Sequence, residues 1–368
     1  MDFSVSIIIP VYNVEAYIEE CLLSVAAQTM TKGVECLIID DCGQDASMIL
    51  VESFVKVYEG SIFFRVLHHD HNLGLSAARN TGIDAARGEY MFFLDSDDKI
   101  ASTCIEHMLA LAQKHNADLV QGYYKAELQW VNDLHNKDIP SFSNDKKFIK
   151  RLMLDYEKNP LMAHNRLVRR NFITEHNLFF REGIVHEDDH WTFFLAKHVQ
   201  RMAFCKEKTY YYRSTPGSIM NQPNRQKEIY SYQIRLKDFI NNIDPIERGE
   251  QMKHIFDDLQ LMVASHYYES KENLSVLFRH FRSKNNSIES FLFSLWCVTR
   301  CHHWLNTKIA HSLIRLYSIK QPCNNAPLVF RWPYEVINDK VLKQESFIKR
   351  TYISTKSDEK SIYHHTNL

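Results

Sequence analysis

The sequence predicts an α/β fold, a mainly parallel sheet covered by helices, followed by a helical C-terminal region. Three observations predict it. Short β-branched apolar runs alternate with amphipathic stretches of about 10–15 residues, the pattern of βαβ units whose strands are buried on both faces. Nine of the ten glycines lie at or before Gly217 and the tenth is Gly249, so the turn chemistry a sheet needs is confined to the first part. The 368 residues exceed one small core, and 45% hydrophobic with 24% charged residues is an ordinary globular balance.

In chain order, Val5 to Pro10 reads as a first strand, and the segment from Val14 to Gln28 follows with helical spacing at Val14, Ile18, Leu22 and Val25. Glu35 to Asp40 is a second strand and Ala46 to Tyr58 its helix. Ile62 to Leu67 is a third strand, followed by an Ala-rich helix from Leu75 to Ala86. Tyr90 to Leu94 is a fourth strand, Ser102 to His115 a capped helix, and Asp118 to Gly122 a fifth strand. The stretch TPGSIMNQPNR, with Pro216, Gly217 and Pro223, marks a boundary. Beyond it Lys227 to Asn241, Arg248 to His266 and Ser287 to Ile319 have helical length and spacing, so the domains expected are 1–218 and 219–368. The tail from Lys356 is polar enough to be loose.

Composition excludes several classes. A formal net charge of −1 lacks the basic balance of a nucleic-acid binder. Eight cysteines scattered without framework spacing fit reduced thiols in a cytoplasm. The opening residues carry Asp2 and an apolar run cut short by Pro10, unlike a secretory signal. No stretch approaches the ~20 apolar residues of a membrane span. The expected location is cytoplasmic.

Ligands of such sheets bind beyond the carboxyl ends of the strands. Strand one ends at Pro10, Tyr12 and Asn13, strand two at Asp40 and Asp41, and strand four at Asp95 and Asp97, so one crevice collects all three clusters. Its carboxylates would repel a phosphate unless a divalent cation lay between, and Mg²⁺ or Mn²⁺ suits hard oxygen ligands. The alternative for residues 95–98 is a turn or helix-capping cluster, which Asp and Ser also favour.

The segments SVSIIIPVYNVEAYIEECLLSVAAQT, ECLIIDDCGQD, NLGLSAARNTGIDAARGEYMFFLDSDD and EGIVHEDDHWTFFLA resemble, in order, the motifs of family 2 glycosyltransferases of the GT-A fold, over about residues 3 to 215. The resemblance implies inverting transfer of a sugar from a nucleotide-diphosphate donor with Mn²⁺ or Mg²⁺, of the kind that builds bacterial cell-surface polysaccharide. Carried over residue by residue, the Pro10–Asn13 turn and Asp40 hold base and ribose, with Tyr12 beside a uracil-like ring, and Asp41 is an alternative contact to the base. Arg79 points at the diphosphate or the sugar. Asp95 and Asp97 form the DXD pair, Asp97 on the metal and Asp95 near the ribose and a metal-bound water, while Asp98 caps the next turn. Arg213, in TYYYRSTPGS, reaches the diphosphate.

The resemblance makes Asp188 the catalytic base and Glu187 its orienting or acceptor-binding neighbour. Direct displacement at the anomeric carbon needs a carboxylate opposite the leaving group, to take the acceptor hydroxyl's proton. The alternative is a dipole-matched first turn of a helix. The Q-x-x-R-W signature of processive members is absent, since Leu328 stands where glutamine would precede Phe330-Arg331-Trp332, which implies single-sugar addition.

The donor expected is UDP-linked, and the acceptor a hydroxyl of a glycan or lipid-linked molecule. A noncatalytic nucleotide-sugar-binding module is the rival, opposed by Glu187 and Asp188. A dehydrogenase or nucleotidyltransferase would need a glycine-rich loop after the first strand, and Val11 to Lys32 contains no glycine. His68-His69-Asp70-His71 and Cys297 with Cys301-His302-His303 lack partner pairs at zinc-site spacing. Residues 290–334 hold no Asp or Glu but carry Arg300, Lys308, Arg315, Lys320 and Arg331 among Phe291, Trp296 and Trp304. Such a stretch suits peripheral attachment to an anionic surface at the inner face of the membrane, or equally a helix packed on the catalytic domain.

Overall fold

A computed structural model describes residues 3–126, 139–155, 161–215 and 225–244, with Gln251, His254, Ile255 and Asp258. The expectations for the helices from Arg248 and Ser287, for the cysteines at 297 and 301 and for the stretch 290–334 lie outside the described residues, apart from the four just named. Apart from Asp244 and Gln251, the described residues belong to one compact unit.

Strand β1 (Val5–Val11) is buried at every position and β2 (Val34–Asp40) at all but its last. Continuous apolar runs of this kind belong to strands covered on both faces. Both pair in parallel, β1 with β2 and with β4 (Tyr90–Phe93), and β2 with β3 (Phe63–His68). The crossovers are α1 (Ile18–Ala26), α2 (Ser47–Val57) and α3 (Leu75–Ala85). In α1 the buried Ile18, Cys21, Leu22 and Val25 fall on one stripe. Full burial of such a side chain contributes roughly 1.5–3 kcal/mol. Helix α3 lies close against β1, because Gly82 has no Cβ: one built there would come 2.3 Å from Cγ2 of Ile8. That approach carries Arg79, one turn earlier, toward the strand ends.

The other half of the sheet is mixed, its antiparallel pairings being short. Strand β8 (Arg166–Arg169) inserts between β4 and β6 (Leu119–Ala126) and is antiparallel to both. Strand β9 (Met202–Tyr212) runs parallel to β6 and takes β5 (Lys99–Ile100) and β7 (Phe142–Ser143) antiparallel. Among the described residues the order is β3-β2-β1-β4-β8-β6-β9-β5, with β7 beside β9. Helix α4 (Cys104–His115) precedes β6, α5 (Lys146–Met153) precedes β8, and α6 (Arg170–Glu175) follows it. Helix α7 (Glu187–His198) begins at the acidic cluster, and α8 (Arg225–Asn241) belongs to the same unit.

Candidate active site

Beyond β4 the Leu94 amide still bonds the Ile8 carbonyl at 3.0 Å, and then the chain turns, with the Asp98 amide on the Asp95 carbonyl at 3.0 Å. Asp95 therefore leaves the sheet at its carboxyl edge. There it meets Arg79, whose Nη2 donates to Asp95 Oδ1 at 2.9 Å while Nη1 donates to Glu187 Oε1 at 2.8 Å and to Asp188 Oδ1 at 2.7 Å. The guanidinium is 1% exposed and packs 5.2 Å over the Phe180 ring. Asn80, next in α3, clasps the Phe180 backbone at both its amide (2.8 Å) and its carbonyl (3.0 Å). Phe180 stacks on Trp191 at 4.7 Å, which fixes α7 against α3. The acidic start of α7 follows His186, whose backbone is left-handed with φ 57°, a conformation costing a non-glycine residue about 1 kcal/mol or more.

The remaining carboxylates of the turn point elsewhere. Asp97 accepts from Thr215 Oγ1 at 3.2 Å. Asp98 is buried, accepting from the Tyr210 hydroxyl at 2.8 Å and the Arg213 amide at 2.7 Å, so it anchors the end of β9. Burial and the Asp95 carboxylate push Asp97 up to about 6. Burial, with Asp97 and Asp95, lifts Asp98 well above the usual carboxylate range. Burial also pushes Asp95 up, but Arg79 and His164 outweigh it and hold its carboxyl below the ordinary value. Burial and the Asp188 carboxylate raise Glu187.

The residues expected on the nucleotide side divide. Tyr12 is half exposed at the crevice rim. Pro10 is buried in β1, and Asn13, at φ 52°, accepts the Gln44 amide at 2.7 Å. Asp40 stays at the edge with His68 Nδ1 3.0 Å away. Asp41 is turned inward: its oxygens take the amides of Leu73 (2.8 Å) and Gly74 (2.9 Å) and face His69 Nδ1 at 2.8 Å. Arg213 reaches Glu20 at 2.7 Å and packs 5.1 Å over Tyr17, on the side of α1. The structure thus gathers Arg79, Asp95, Glu187 and Asp188 at one point and sets Asp41 and Arg213 apart from it.

Sequence reasoning missed His164. Its ring stacks on Tyr210 at 4.6 Å and Tyr212 at 5.6 Å, with Nε2 3.9 Å from Asp95 Oδ2. It sits in an aperiodic segment before β8, where no spacing rule singles it out. Ligand atoms of Asp95, Asp98 and His164 lie within 4.8 Å of one another, and His164 Nδ1 is buried with no hydrogen-bond partner among the described residues. Two carboxylates, an imidazole and a neighbouring Asp97 raised by burial and then by the Asp95 charge make a donor set that fits a divalent cation.

Comparison with known proteins decides the family. The glycosyl transferase family 2 model matches residues 6–176. EpsH of Bacillus subtilis (strain 168), to which glycosyltransferase activity is ascribed, is 32% identical over 269 residues, covering 72% of this chain and 75% of its own. The chain belongs to glycosyl transferase family 2. This family 2 glycosyltransferase is also 33% identical to EpsJ of the same strain, an uncharacterized glycosyltransferase, over 60% of this chain and 63% of EpsJ. In fold it resembles the crystal structure of residues 1–349 of TarS from S. aureus in complex with UDP-GlcNAc: TM-score 0.63 at 18% identity, over 81% of this chain and 87% of that one. The GT-A expectation therefore holds for the fold, and glycosyl transfer as the activity follows from membership of the family.

Proposed function

We propose that this family 2 glycosyltransferase is an inverting enzyme that moves one sugar from a UDP-linked donor to a hydroxyl of a glycan or lipid-linked acceptor, in surface polysaccharide synthesis. The observation that carries the reading is the convergence of Asp95, Glu187 and Asp188 on Arg79: the strand-end carboxylate and the acidic helix start share one counter-charge. TarS structures of like fold hold UDP-GlcNAc and UDP, which supports the donor class.

In this reading Asp188 takes the acceptor hydroxyl's proton as its oxygen bonds to the anomeric carbon. The bond to the diphosphate breaks and its electron pair leaves with the nucleotide. Glu187 orients the acceptor, and Arg79 holds both carboxylates in register with Asp95. Tyr12, Pro10, Asn13 and Asp40 are assigned to the nucleotide, with Asp41 supporting the loop beneath it, and Arg213 to the diphosphate, which it would reach by releasing Glu20. Asp95 and Asp97, with Asp98 and His164 adjacent, would hold Mn²⁺ or Mg²⁺. Such an ion supplies charge neutralisation at the departing diphosphate. In the same reading the chain divides into a catalytic part, 1–218, and a C-terminal region, 219–368, expected from its sequence to be mainly helical, whose first helix α8 packs with the catalytic part; the enzyme would act in the cytoplasm or at the inner membrane face. Among the described residues no helix is long and apolar enough to cross a membrane. A noncatalytic binding module has no use for the paired acids of α7 facing Asp95.

The test is a melting screen with UDP-GlcNAc, UDP-glucose, UDP-galactose and GDP-mannose, each with and without Mn²⁺. A ligand at a hundred times its Kd stabilises by about 2.7 kcal/mol. UDP-sugars with Mn²⁺ are expected to raise Tm most, and Asp97→Asn to remove the Mn²⁺-dependent part. Selective stabilisation by GDP-mannose, or a response indifferent to Mn²⁺ and to Asp97→Asn, would overturn the donor and cation assignments respectively.

A further inference from the structure

The residues around the proposed base face two ways. Glu187 and Asp188 turn toward Arg79. Their neighbours on either side turn toward α8. The Val185 amide donates to Ser231 Oγ at 2.9 Å, and the His186 carbonyl accepts from Arg235 Nη1 at 3.1 Å. Asp189 lies 3.4 Å from Arg235 and 2.8 Å from His254, and His190 Nε2 lies 3.1 Å from Asp238. Ser231, Arg235 and Asp238 are spaced four and three apart, so they occupy one face of α8.

Arg235 is held in turn by Asp258 and packs 4.6 Å over Tyr232. Ser231, Arg235, His254 and Asp258 are all buried. A buried ionic cluster of this sort is a poor source of net stability, because desolvation consumes most of its Coulomb gain. Its geometric consequence is specific. It grips residues 185, 186, 189 and 190, and leaves 187 and 188 to project into the crevice from a left-handed His186. The family model's match ends at residue 176, before α7 and α8.

We propose that α8 is a splint for the catalytic turn: Arg235, helped by Ser231 and Asp238, fixes the backbone at His186 and so aims the Asp188 carboxylate. Arg235 is a positioning residue in this scheme. The inference rests on the reading of Asp188 as the base.

The test uses the full chain and the nucleotide sugar that gives the largest stabilisation in the screen above. Mn²⁺-dependent release of its nucleoside diphosphate and its calorimetric affinity are compared for Arg235→Gln, Arg235→Lys, Ser231→Ala and Asp188→Asn. Misaiming a reacting group by about 1 Å costs up to ~100-fold. Arg235→Gln is therefore expected to lower turnover about 10- to 100-fold with donor affinity unchanged, and Arg235→Lys to recover part of it. Should Arg235→Gln not fold, Ser231→Ala, which removes a single hydroxyl, carries the comparison with the same kcat-against-affinity split. Wild-type turnover in Ser231→Ala and in any folded Arg235 variant, or an equal fall in donor affinity, overturns the inference. Wild-type turnover in Asp188→Asn strikes the base assignment itself, a separate result.

Discussion

Arg79 faces three carboxylates with two nitrogens, and burial makes that arrangement obligatory rather than decorative. Desolvation alone would lower the pKa of the guanidinium, but Asp188, Asp95 and Glu187 outweigh it and raise it. Arg79→Gln leaves those carboxylates without a counter-charge, and breaking a buried ion pair on one side costs about 3–5 kcal/mol. Urea unfolding is expected to show a loss of that size, whereas a loss within the few tenths typical of surface sites would contradict the geometry. At this scale the sequence was partly legible. Asp95, Glu187 and Asp188 announce themselves because carboxylates crowd the end of an apolar strand or the first turn of a helix. Asp98 was not, because its role as the anchor of Tyr210 and Arg213 depends on a strand more than a hundred residues away. His164 likewise gains its place through distant partners, stacking on β9 and meeting Tyr124 of β6 edge-on.

Helix α7 shows how an element is placed from both sides. Trp191 donates its indole N–H to the Leu178 carbonyl at 2.9 Å and packs under Phe180, while Asp189 enters the buried cluster of Arg235, His254 and Asp258. Burial lowers the pKa of His254, but Asp189 and then Asp258 outweigh that and raise it. The folded state therefore binds this proton more tightly than the unfolded chain. Its contribution is fully present below the unfolded value near 6.5 and is lost as pH rises through the higher folded value. Wild-type Tm is expected to fall as pH rises above about 6.5, and His254→Gln to flatten that limb; an unchanged slope in the variant would remove His254 from the cluster's energetics. The first four strands and their helices were legible because apolar runs and helical stripes alternate cleanly. Strand β8 was not: it has only four residues, two of them Arg, and Arg166 is buried there by bonding Gln121 and Thr192 at 2.8 and 2.7 Å. Polarity satisfied by distant partners looks like a loop in sequence.

Across the whole unit, the parallel half of the sheet supplies the strand ends proposed to border the nucleotide, and the mixed half brings β9 and the start of α7 to the same edge. The crevice was foreseeable from the rule that ligands sit beyond strand ends. The mixed half was not, since antiparallel insertion leaves no period of its own. In the proposed mechanism Asp188, at the meeting point of the two halves, is the proton acceptor. The most direct measurement is the transfer rate of Asp188→Asn and Glu187→Gln beside their donor affinities. General-base catalysis contributes ~10²–10⁴-fold, about 3–5 kcal/mol of transition-state stabilisation, against about 0.3–1 kcal/mol for a helix-end charge. Asp188→Asn is expected to lose turnover on that scale with donor affinity intact, and Glu187→Gln to lose less. Near-normal transfer by Asp188→Asn with collapse in Glu187→Gln would move the base to Glu187, and near-normal transfer by both would contradict the account.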